Sequence, residues 1–234
     1  METEGTIMER LQQWFLATWE KNKHFCLCFY FLAYLAWFAW LEKNVTTRFH
    51  VIHLTIDDYI PFCAVFVIPY LMWFIYIAWG VIYFGFKDKK DYYRLCAFMF
   101  TGMTVFLVIS TVYPNGHYLR PTSFENENIF TALVQMVYSK DTSTNLFPSI
   151  HVYNSIAVHL AVVESEKLRN RPAMRITSGI VMVSIVLSTM FIKQHSAFDV
   201  LTAILLAGVM YMAVYGREWV GQPHKAREKA HALR

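Results

Sequence analysis

Long apolar stretches separated by short charged segments dominate this chain. Runs without a charged residue cover positions 25–41, 59–86, 95–119, 146–163, 176–192 and 200–215. A transmembrane helix needs about 20 mainly apolar residues, with a lower limit of about 17. The last run reaches that length only when residues 196–199 are included. The pattern therefore predicts an all-α, polytopic membrane protein built as a bundle of six transmembrane helices.

The distribution of basic residues predicts how these helices are oriented. Of the 21 lysines and arginines, 16 lie before the first run, between the second and third, between the fourth and fifth, or after the sixth. Short cytoplasmic segments are enriched in Lys and Arg. We therefore expect both termini in the cytoplasm, a multi-pass location in the cell membrane, and a site that opens on the non-cytoplasmic face.

The chain is expected to hold one six-helix membrane domain, residues 24–216, between an N-terminal segment, 1–23, and a basic cytoplasmic tail, 217–234. In the N-terminal segment Leu11, Trp14 and Phe15 recur at helical spacing among polar residues. This is typical of an interfacial amphipathic helix, and a plain juxtamembrane extension is the alternative. Residues 130–138 show a short helical period and are expected to lie across the mouth of the site.

Composition excludes several classes of function. The net charge of +4 follows from membrane topology, and no basic face accompanies it, so we expect no nucleic-acid partner. The four cysteines lie in or beside apolar runs, where packing is their expected role. The sequence contains no phosphate-binding loop, dinucleotide fingerprint or zinc-binding histidine motif. We therefore expect neither a metal nor a cofactor.

The sequence Lys-Gln-His-Ser-Ala-Phe-Asp, from Lys193 to Asp199, stands where an apolar run begins. Residues four apart share one face of a helix, so the Asp199 carboxylate can accept a hydrogen bond from one nitrogen of His195. This bond would fix the tautomer of the imidazole and leave its other nitrogen as a nucleophile. An aspartate that only favours the helix dipole is the alternative.

The sequence Phe-Pro-Ser-Ile-His, from Phe147 to His151, marks a second helix start. Proline suits the first turn of a helix. The Ser149 hydroxyl and the backbone N–H groups near Ile150 would form an anion site there. His151 could then donate a proton to a leaving alkoxide, and a capping or interface histidine is the alternative.

Two of the basic residues on the predicted non-cytoplasmic side are candidates for binding, because basic residues have no orienting role there. Arg120 can hold two phosphate oxygens in a fork and Lys193 can act as a point charge, so both are candidate phosphate ligands. The remaining polar candidates are expected to have structural roles. The other histidines, which include His117 and His159, lack the spacing of metal ligands. Asp57 and Asp58 are adjacent, so their carboxylates would point apart on a helix.

These motifs resemble the signatures of the type 2 phosphatidic acid phosphatase family, membrane lipid phosphatases related to vanadate haloperoxidases. That family carries Lys-x6-Arg-Pro, Pro-Ser-Gly-His and Ser-Arg-x5-His-x3-Asp. In this chain the order and spacing are the same, and the motifs read Tyr113-x6-Arg120-Pro121, Pro148-Ser149-Ile150-His151 and Ser188-Thr189-x5-His195-x3-Asp199. The similarity extends from about residue 59 to residue 215.

Three positions depart from the family signatures. Tyr113 replaces a lysine, Ile150 a glycine and Thr189 an arginine. Lys193 is the candidate replacement for one of the two lost cations. By their positions in the motifs, four residues are expected to lie beside the reacting groups: Tyr113, Ser188, Thr189 and Gln194.

The resemblance implies metal-independent hydrolysis of a lipid phosphate or diphosphate monoester. His195, oriented by Asp199, would form a phosphohistidine, while His151 would protonate the leaving alcohol and then activate water. The phosphate oxygens would be held by Arg120, Lys193, Ser149 and the Ile150 N–H. Two alternatives stay open. One is a lipid phosphotransferase similar to sphingolipid synthases, with the same histidine chemistry, and the other is a transporter or scaffold without catalysis.

Overall fold

The computed structural model describes residues 2–45, 47–124 and 126–216, and this part of the chain is almost entirely helical. The predicted cytoplasmic tail, 217–234, lies outside the described residues. The α-helices of the described part are α1 (Glu2–Asn22), α2 (Tyr30–Asn44), α3 (Thr55–Tyr59), α4 (Val67–Lys87), α5 (Lys89–Val112), α6 (Ile129–Lys140), α7 (Ile150–Glu164), α8 (Pro172–Phe191) and α9 (Ala197–Val214). Short 3-10 helices cover Lys23–Phe29, Ala64–Phe66 and Glu166–Leu168.

Five helical segments of the described chain are long and apolar enough to cross a membrane. They are Met8–Asn44, Ala64–Lys87, Lys89–Val112, Pro172–Phe191 and Ala197–Val214. The prediction of an all-α, multi-pass membrane protein is thus confirmed at this level. The fourth predicted span, 146–163, corresponds to α7, which has 15 residues and a length of roughly 22 Å, whereas the hydrocarbon core of a bilayer is about 30 Å thick.

Helix α7 is the central element of the bundle. It packs against α4, α5, α8 and α9, while α2 packs on the outer side of α5. Side chains around its whole circumference are buried, including Val152, Tyr153, Val158 and Val162. A helix that is apolar on all sides is expected to be enclosed. The helix that begins next to His151 is therefore surrounded by protein.

The close contact between α5 and α7 depends on a glycine. The ring of Tyr153 lies against Gly102, in the space that a Cβ atom at Gly102 would occupy. The Tyr153 hydroxyl donates a hydrogen bond to the carbonyl of Phe98 at 2.8 Å. Because both the ring and its hydroxyl are held by α5, the tyrosine has little freedom to move aside.

The segments between the long helices meet at the end of the bundle where α7 and α9 begin. A two-residue strand β1 (His50–Val51) pairs in parallel with β2 (Asn115–Gly116). The Asn115 side-chain oxygen accepts hydrogen bonds from the N–H groups of Leu146 and Phe147 at 2.9 and 3.0 Å. The short helix predicted at 130–138 is present as α6, which packs beside α4. These contacts fix the chain just before His151.

We expect Gly102→Ala to lower the free energy of unfolding by about 1–3 kcal/mol, the usual cost of overpacking, because the new methyl group collides with Tyr153. Thermal unfolding of the purified protein in detergent measures this change. Gly208→Ala is the matched control, since a Cβ at Gly208 meets no atom within 4 Å. Equal stability of the two variants would contradict the role assigned to Gly102.

Candidate active site

His195 lies in a tight connection between α8 and α9. The backbone N–H groups of Gln194 and His195 both donate to the carbonyl of Thr189, at 2.9 and 3.0 Å. Lys193 adopts a left-handed conformation with φ of 53°, and Ser196 is the N-cap of α9. His195 therefore precedes the helix, whereas the sequence analysis placed it on the same helix as Asp199.

The predicted contact between His195 and Asp199 is nevertheless present. His195 Nδ1 lies 3.4 Å from the Asp199 carboxylate oxygen Oδ2. The same oxygen accepts a hydrogen bond from the Ser196 N–H at 3.0 Å, and the Asp199 side chain is fully buried. The carboxylate thus caps α9 and orients the imidazole at once, so the two alternatives from the sequence are combined in one residue.

His151 faces His195 from the start of α7. The two imidazoles approach with His151 Nδ1 3.4 Å from His195 Nε2. The Ser149 N–H donates to the Asp199 carbonyl at 3.2 Å, which joins the two helix starts. Ser149 is the N-cap, and its hydroxyl oxygen accepts from the Val152 N–H at 3.4 Å. The hydroxyl predicted to bind an anion therefore serves as a helix cap, and proline precedes the cap instead of lying in the first turn.

Arg120 reaches the loop between α8 and α9 that carries His195, but most of its donors are used by the protein. Its Nη1 and Nη2 atoms donate to the carbonyls of Asp141 and Thr142 at 2.8 and 2.7 Å. Nη2 also donates to the side-chain oxygen of Gln194, and the guanidinium lies over the ring of Tyr138. Its Nε–H has no partner among the described residues.

Lys193 is turned away from the two histidines. Its ammonium donates to the carbonyls of Asp57 and Ile60, at 2.8 and 2.5 Å, in the region of α3. Burial lowers the pKa of Lys193, and Asp57 and Asp58 oppose this shift. In this arrangement the lysine anchors the loop between α8 and α9 to α3 and does not face the two histidines.

The other residues taken from the motif positions divide into two groups. Gln194 and Ile150 lie at the site, the first bound to Arg120 and the second on the wall of the cavity described below. Tyr113 stacks on His50 with ring centroids 4.1 Å apart. The hydroxyls of Ser188 and Thr189 donate to carbonyls of their own helix. Only the Thr189 carbonyl contributes to the loop.

His117 and Asp57, two residues expected to have structural roles, hold the loop between α8 and α9. His117 Nδ1 accepts from the Leu119 N–H at 3.2 Å, so its Nε2 carries the proton and donates to the Gln194 carbonyl at 3.0 Å. Asp57, which is 1% exposed, accepts from the Ser196 hydroxyl at 2.6 Å and from the Ala197 N–H at 2.7 Å. The feature that marks Asp57 as important is a buried carboxylate at a helix start. The sequence does not reveal its partner, because the N–H of Ala197 lies 140 residues away.

The protonation states of His195 and of His117, which contacts the same loop, follow from burial. Desolvation lowers the pKa of His195 to about 3, and the positive charge of Arg120 acts in the same direction. Desolvation also lowers the pKa of His117 to about 4. Both imidazoles are therefore neutral at pH 7. With Nδ1–H donated to Asp199, the lone pair of His195 is on Nε2.

A cavity of about 440 Å³ lies beside the two histidines, and both contribute to its wall. The rest of the wall comes from α2, α4, α5, α6, the first residue of α7 and the segment that precedes it. The lining is mostly apolar, and three lining side chains are also exposed on the outer surface of the bundle: Leu35, Phe74 and Met136. The cavity thus connects the histidines with the lateral, apolar surface. Its size lies in the range of small-molecule sites.

Comparisons with known proteins do not assign the site. Neither protein-family models, nor curated proteins, nor solved structures gave a match to this chain. Within the described residues, no group of three or more His, Cys, Asp or Glu side chains is arranged to hold a metal ion. The function has to be inferred from the geometry of the residues themselves.

We expect Asp57→Ala to lower the free energy of unfolding by about 1–3 kcal/mol, because it leaves the Ser196 hydroxyl and the Ala197 N–H buried without an acceptor. Thermal unfolding measures the effect. Asp58→Ala is the matched control, since the Asp58 side chain is 60% exposed. A loss of stability that is the same in both variants would contradict the role of Asp57 as the acceptor at the start of α9.

We expect His195 to stay neutral at pH 5 and to carry its proton on Nδ1. The lowered pKa, about 3, places its titration well below that of a free imidazole at about 6.5. Nitrogen NMR of histidine-labelled protein reports both the charge and the tautomer, and His195→Gln assigns the signal. Titration of this signal between pH 6 and 7 would contradict the burial argument.

Proposed function

We propose that this protein hydrolyses a lipid phosphate or diphosphate monoester through a phosphohistidine on His195. The observation that carries the proposal is the alignment of Asp199, His195 and His151 at the wall of an apolar cavity. A carboxylate holds one imidazole by Nδ1 at 3.4 Å, and the Nε2 of that imidazole faces a second histidine at 3.4 Å. Side by side in space, Asp199 would orient the nucleophile, His195 would attack, and His151 would donate the proton. These are the parts of nucleophilic catalysis.

In the first step, the Nε2 lone pair of His195 attacks phosphorus and the bond from phosphorus to the alcohol oxygen breaks. His151 takes up the acidic proton of the bound phosphate monoester and becomes an imidazolium, which then gives a proton to the departing oxygen. The 3.4 Å separation of the two nitrogens leaves no room for a phosphorus atom between them. Substrate binding therefore requires the two rings to move apart, which frees the His151 proton from His195 and allows it to reach the leaving group.

In the second step, water attacks the phosphohistidine and the bond from phosphorus to Nε2 breaks. His151, now a neutral imidazole, accepts a proton from the water as it attacks, and it returns the proton that it borrowed to the phosphate product. Phosphate leaves and both imidazoles return to their starting states. Asp199 keeps its contact with Nδ1 of His195 throughout and stabilises the positive charge that develops on the imidazole, as in other carboxylate–histidine pairs.

The phosphate oxygens are met by fewer cations than in the family that the motifs resemble. Arg120 offers its Nε–H and its charge, and the first N–H groups of α7 near Ile150 add donors because a helix start leaves them without intrahelical acceptors. Lys193 is not assigned to the phosphate in this proposal, since its ammonium is bound to two carbonyls. It supports the reaction by anchoring the loop that carries His195.

The lateral opening of the cavity supports a lipid substrate. A lipid chain could enter between α2, α4 and α6 through the exposed side chains Leu35, Phe74 and Met136 and place its phosphate at the histidines. We further propose that α7 is a sixth, enclosed span and that both termini lie in the cytoplasm, with the site at the opposite face of the cell membrane. The type 2 phosphatidic acid phosphatase family remains the proposed affiliation.

We expect purified protein to release phosphate from phosphatidic acid, phosphatidylglycerol phosphate or a polyprenyl diphosphate in the presence of a metal chelator. His195→Gln should reduce kcat by about 10³-fold or more, because it removes the nucleophile. Phosphate release in nanodiscs measures the rate, and acid-labile, base-stable labelling with ³²P tests for the phosphohistidine.

His159→Gln is the matched control for this experiment, because His159 binds Ser178 away from the cavity. Full activity of His195→Gln would refute the assignment of the nucleophile. Loss of wild-type activity with the chelator would refute the metal-free mechanism. Transfer of the phosphoryl headgroup to an added lipid alcohol, without free phosphate, would show that the protein is a phosphotransferase that uses the same histidines.

A further inference from the structure

The wall of the cavity carries hydrogen-bond acceptors that the fold does not fully use. Asn145 and Asp141 both line it, together with His151 and His195. Neither residue belongs to the motifs that suggested the reaction. Their position beside the reacting groups raises the question of which part of a substrate they contact.

Asn145 is buried and held in an uncommon conformation. It is 3% exposed and has a positive φ of 55°, which asparagine tolerates better than most residues with a side chain. Its Nδ2 donates to the Glu42 carboxylate at 3.0 Å, which fixes the direction of the amide. Its Oδ1 is buried and has no partner among the described residues. A buried acceptor left unused is a site for a ligand donor.

Asp141 supplies a second acceptor on the same wall. Its Oδ2 receives the Tyr70 hydroxyl at 3.4 Å, a long hydrogen bond that leaves the carboxylate capacity to accept more. Burial raises the pKa of Asp141 to about 6, and Glu42 adds to the shift while Arg120 opposes it. The carboxylate is therefore poorly solvated, so a hydrogen bond from a ligand would stabilise it more than it would stabilise a carboxylate in water.

One side chain, that of Tyr70, contacts both the acceptor Asp141 and the histidine His151. The Tyr70 hydroxyl lies near both Asp141 and the Gln194 side chain, at 3.4 and 3.5 Å. The ring of the same tyrosine packs on His151 with centroids 4.7 Å apart. A ligand group that binds Asp141 and Asn145 is therefore close to the phosphate of the substrate and far from the end of its apolar chain.

The charges around the two acceptors favour a neutral donor. Lys140 also lines the cavity, and Arg120 donates to the main-chain carbonyl of Asp141. Two carboxylates, Asp141 and Glu42, lie beside these two cations, so no net charge selects an ammonium group, whereas a hydroxyl can donate to Asn145 Oδ1 or to the carboxylate without a charge penalty. A hydroxyl is thus the group that matches the site.

We propose that Asn145 and Asp141 form a subsite for a free hydroxyl group next to the phosphate of the lipid substrate. The proposal rests on the proposed function and narrows it. The preferred substrates are phosphates whose backbone keeps a hydroxyl, such as a monoacylglycerol phosphate, over those in which that hydroxyl is substituted. The subsite binds the alcohol part of the substrate, while Arg120 and the start of α7 bind the phosphate.

The test compares three substrates with the same oleoyl chain and the full protein in nanodiscs. The substrates are 1-oleoylglycerol 3-phosphate, its 2-O-methyl ether, and its analogue with an amino group at position 2. We expect kcat/KM for the hydroxyl compound to exceed that of the ether by about tenfold or more, because a site built to bind a hydroxyl rejects an analogue without the donor. A value highest for the amino compound would overturn the assignment to a hydroxyl.

Two variants locate the selectivity. Asn145→Gly keeps the left-handed backbone accessible and removes Oδ1, and Asp141→Asn keeps the shape and removes the charge. Each should bring the ratio of kcat/KM between hydroxyl and ether substrates towards 1. Asn44→Gly and Asp58→Asn are matched controls on exposed residues. A ratio unchanged in both site variants, or no selectivity in the wild type, would overturn the subsite.

A binding measurement separates this proposal from the proposed function. Thermal stabilisation by 1-oleoylglycerol and by its 2-O-methyl ether needs no phosphate chemistry. If no phosphate is released but 1-oleoylglycerol stabilises the wild type more than the ether does, and Asn145→Gly removes the difference, the hydrolase proposal fails and the subsite stands. Equal stabilisation by both compounds would overturn the subsite whatever the outcome of the assay.

Discussion

The two helix starts that carry the site are joined through a single residue, Asp199. Its carbonyl accepts the Ser149 N–H at the start of α7, and its carboxylate accepts the Ser196 N–H at the start of α9 and contacts His195. The relative position of the two histidines therefore depends on bonds that also cap helices. A helix end that lost its cap would be less stable, so the same bonds serve folding and orientation.

Burial gives this junction its chemical character. His195 and Asp199 are almost entirely removed from solvent, so solvent does not screen the electrostatic interaction between them as it would at the surface. A buried ionic group costs free energy unless its hydrogen bonds are satisfied. Its main effect is to favour one arrangement of the surrounding chain, and its contribution to stability is smaller. The surrounding contacts from His117, Asp57 and Lys193 all reach the same short loop. They limit the number of arrangements that the imidazole can adopt.

Local sequence patterns predicted the parts of the structure that depend on neighbours in the chain. Apolar runs identified the long helices, and a spacing of four identified the contact between His195 and Asp199. The same patterns did not show that α7 is enclosed, because enclosure depends on which helices surround it. Nor did they show that Lys193 binds carbonyls near α3 or that Asp57 accepts from Ser196. Those partners are more than 130 residues apart, and only the packed bundle brings them together.

The use of Lys193 as an anchor has a consequence for how a lipid would be held. A phosphate next to one guanidinium gains less Coulombic attraction than a phosphate surrounded by several cations, and this attraction weakens as salt is added. More of the affinity must then come from transfer of the hydrocarbon chain into the cavity, about 0.8 kcal/mol for each buried methylene group. Recognition in this protein would accordingly follow chain length more closely than ionic strength.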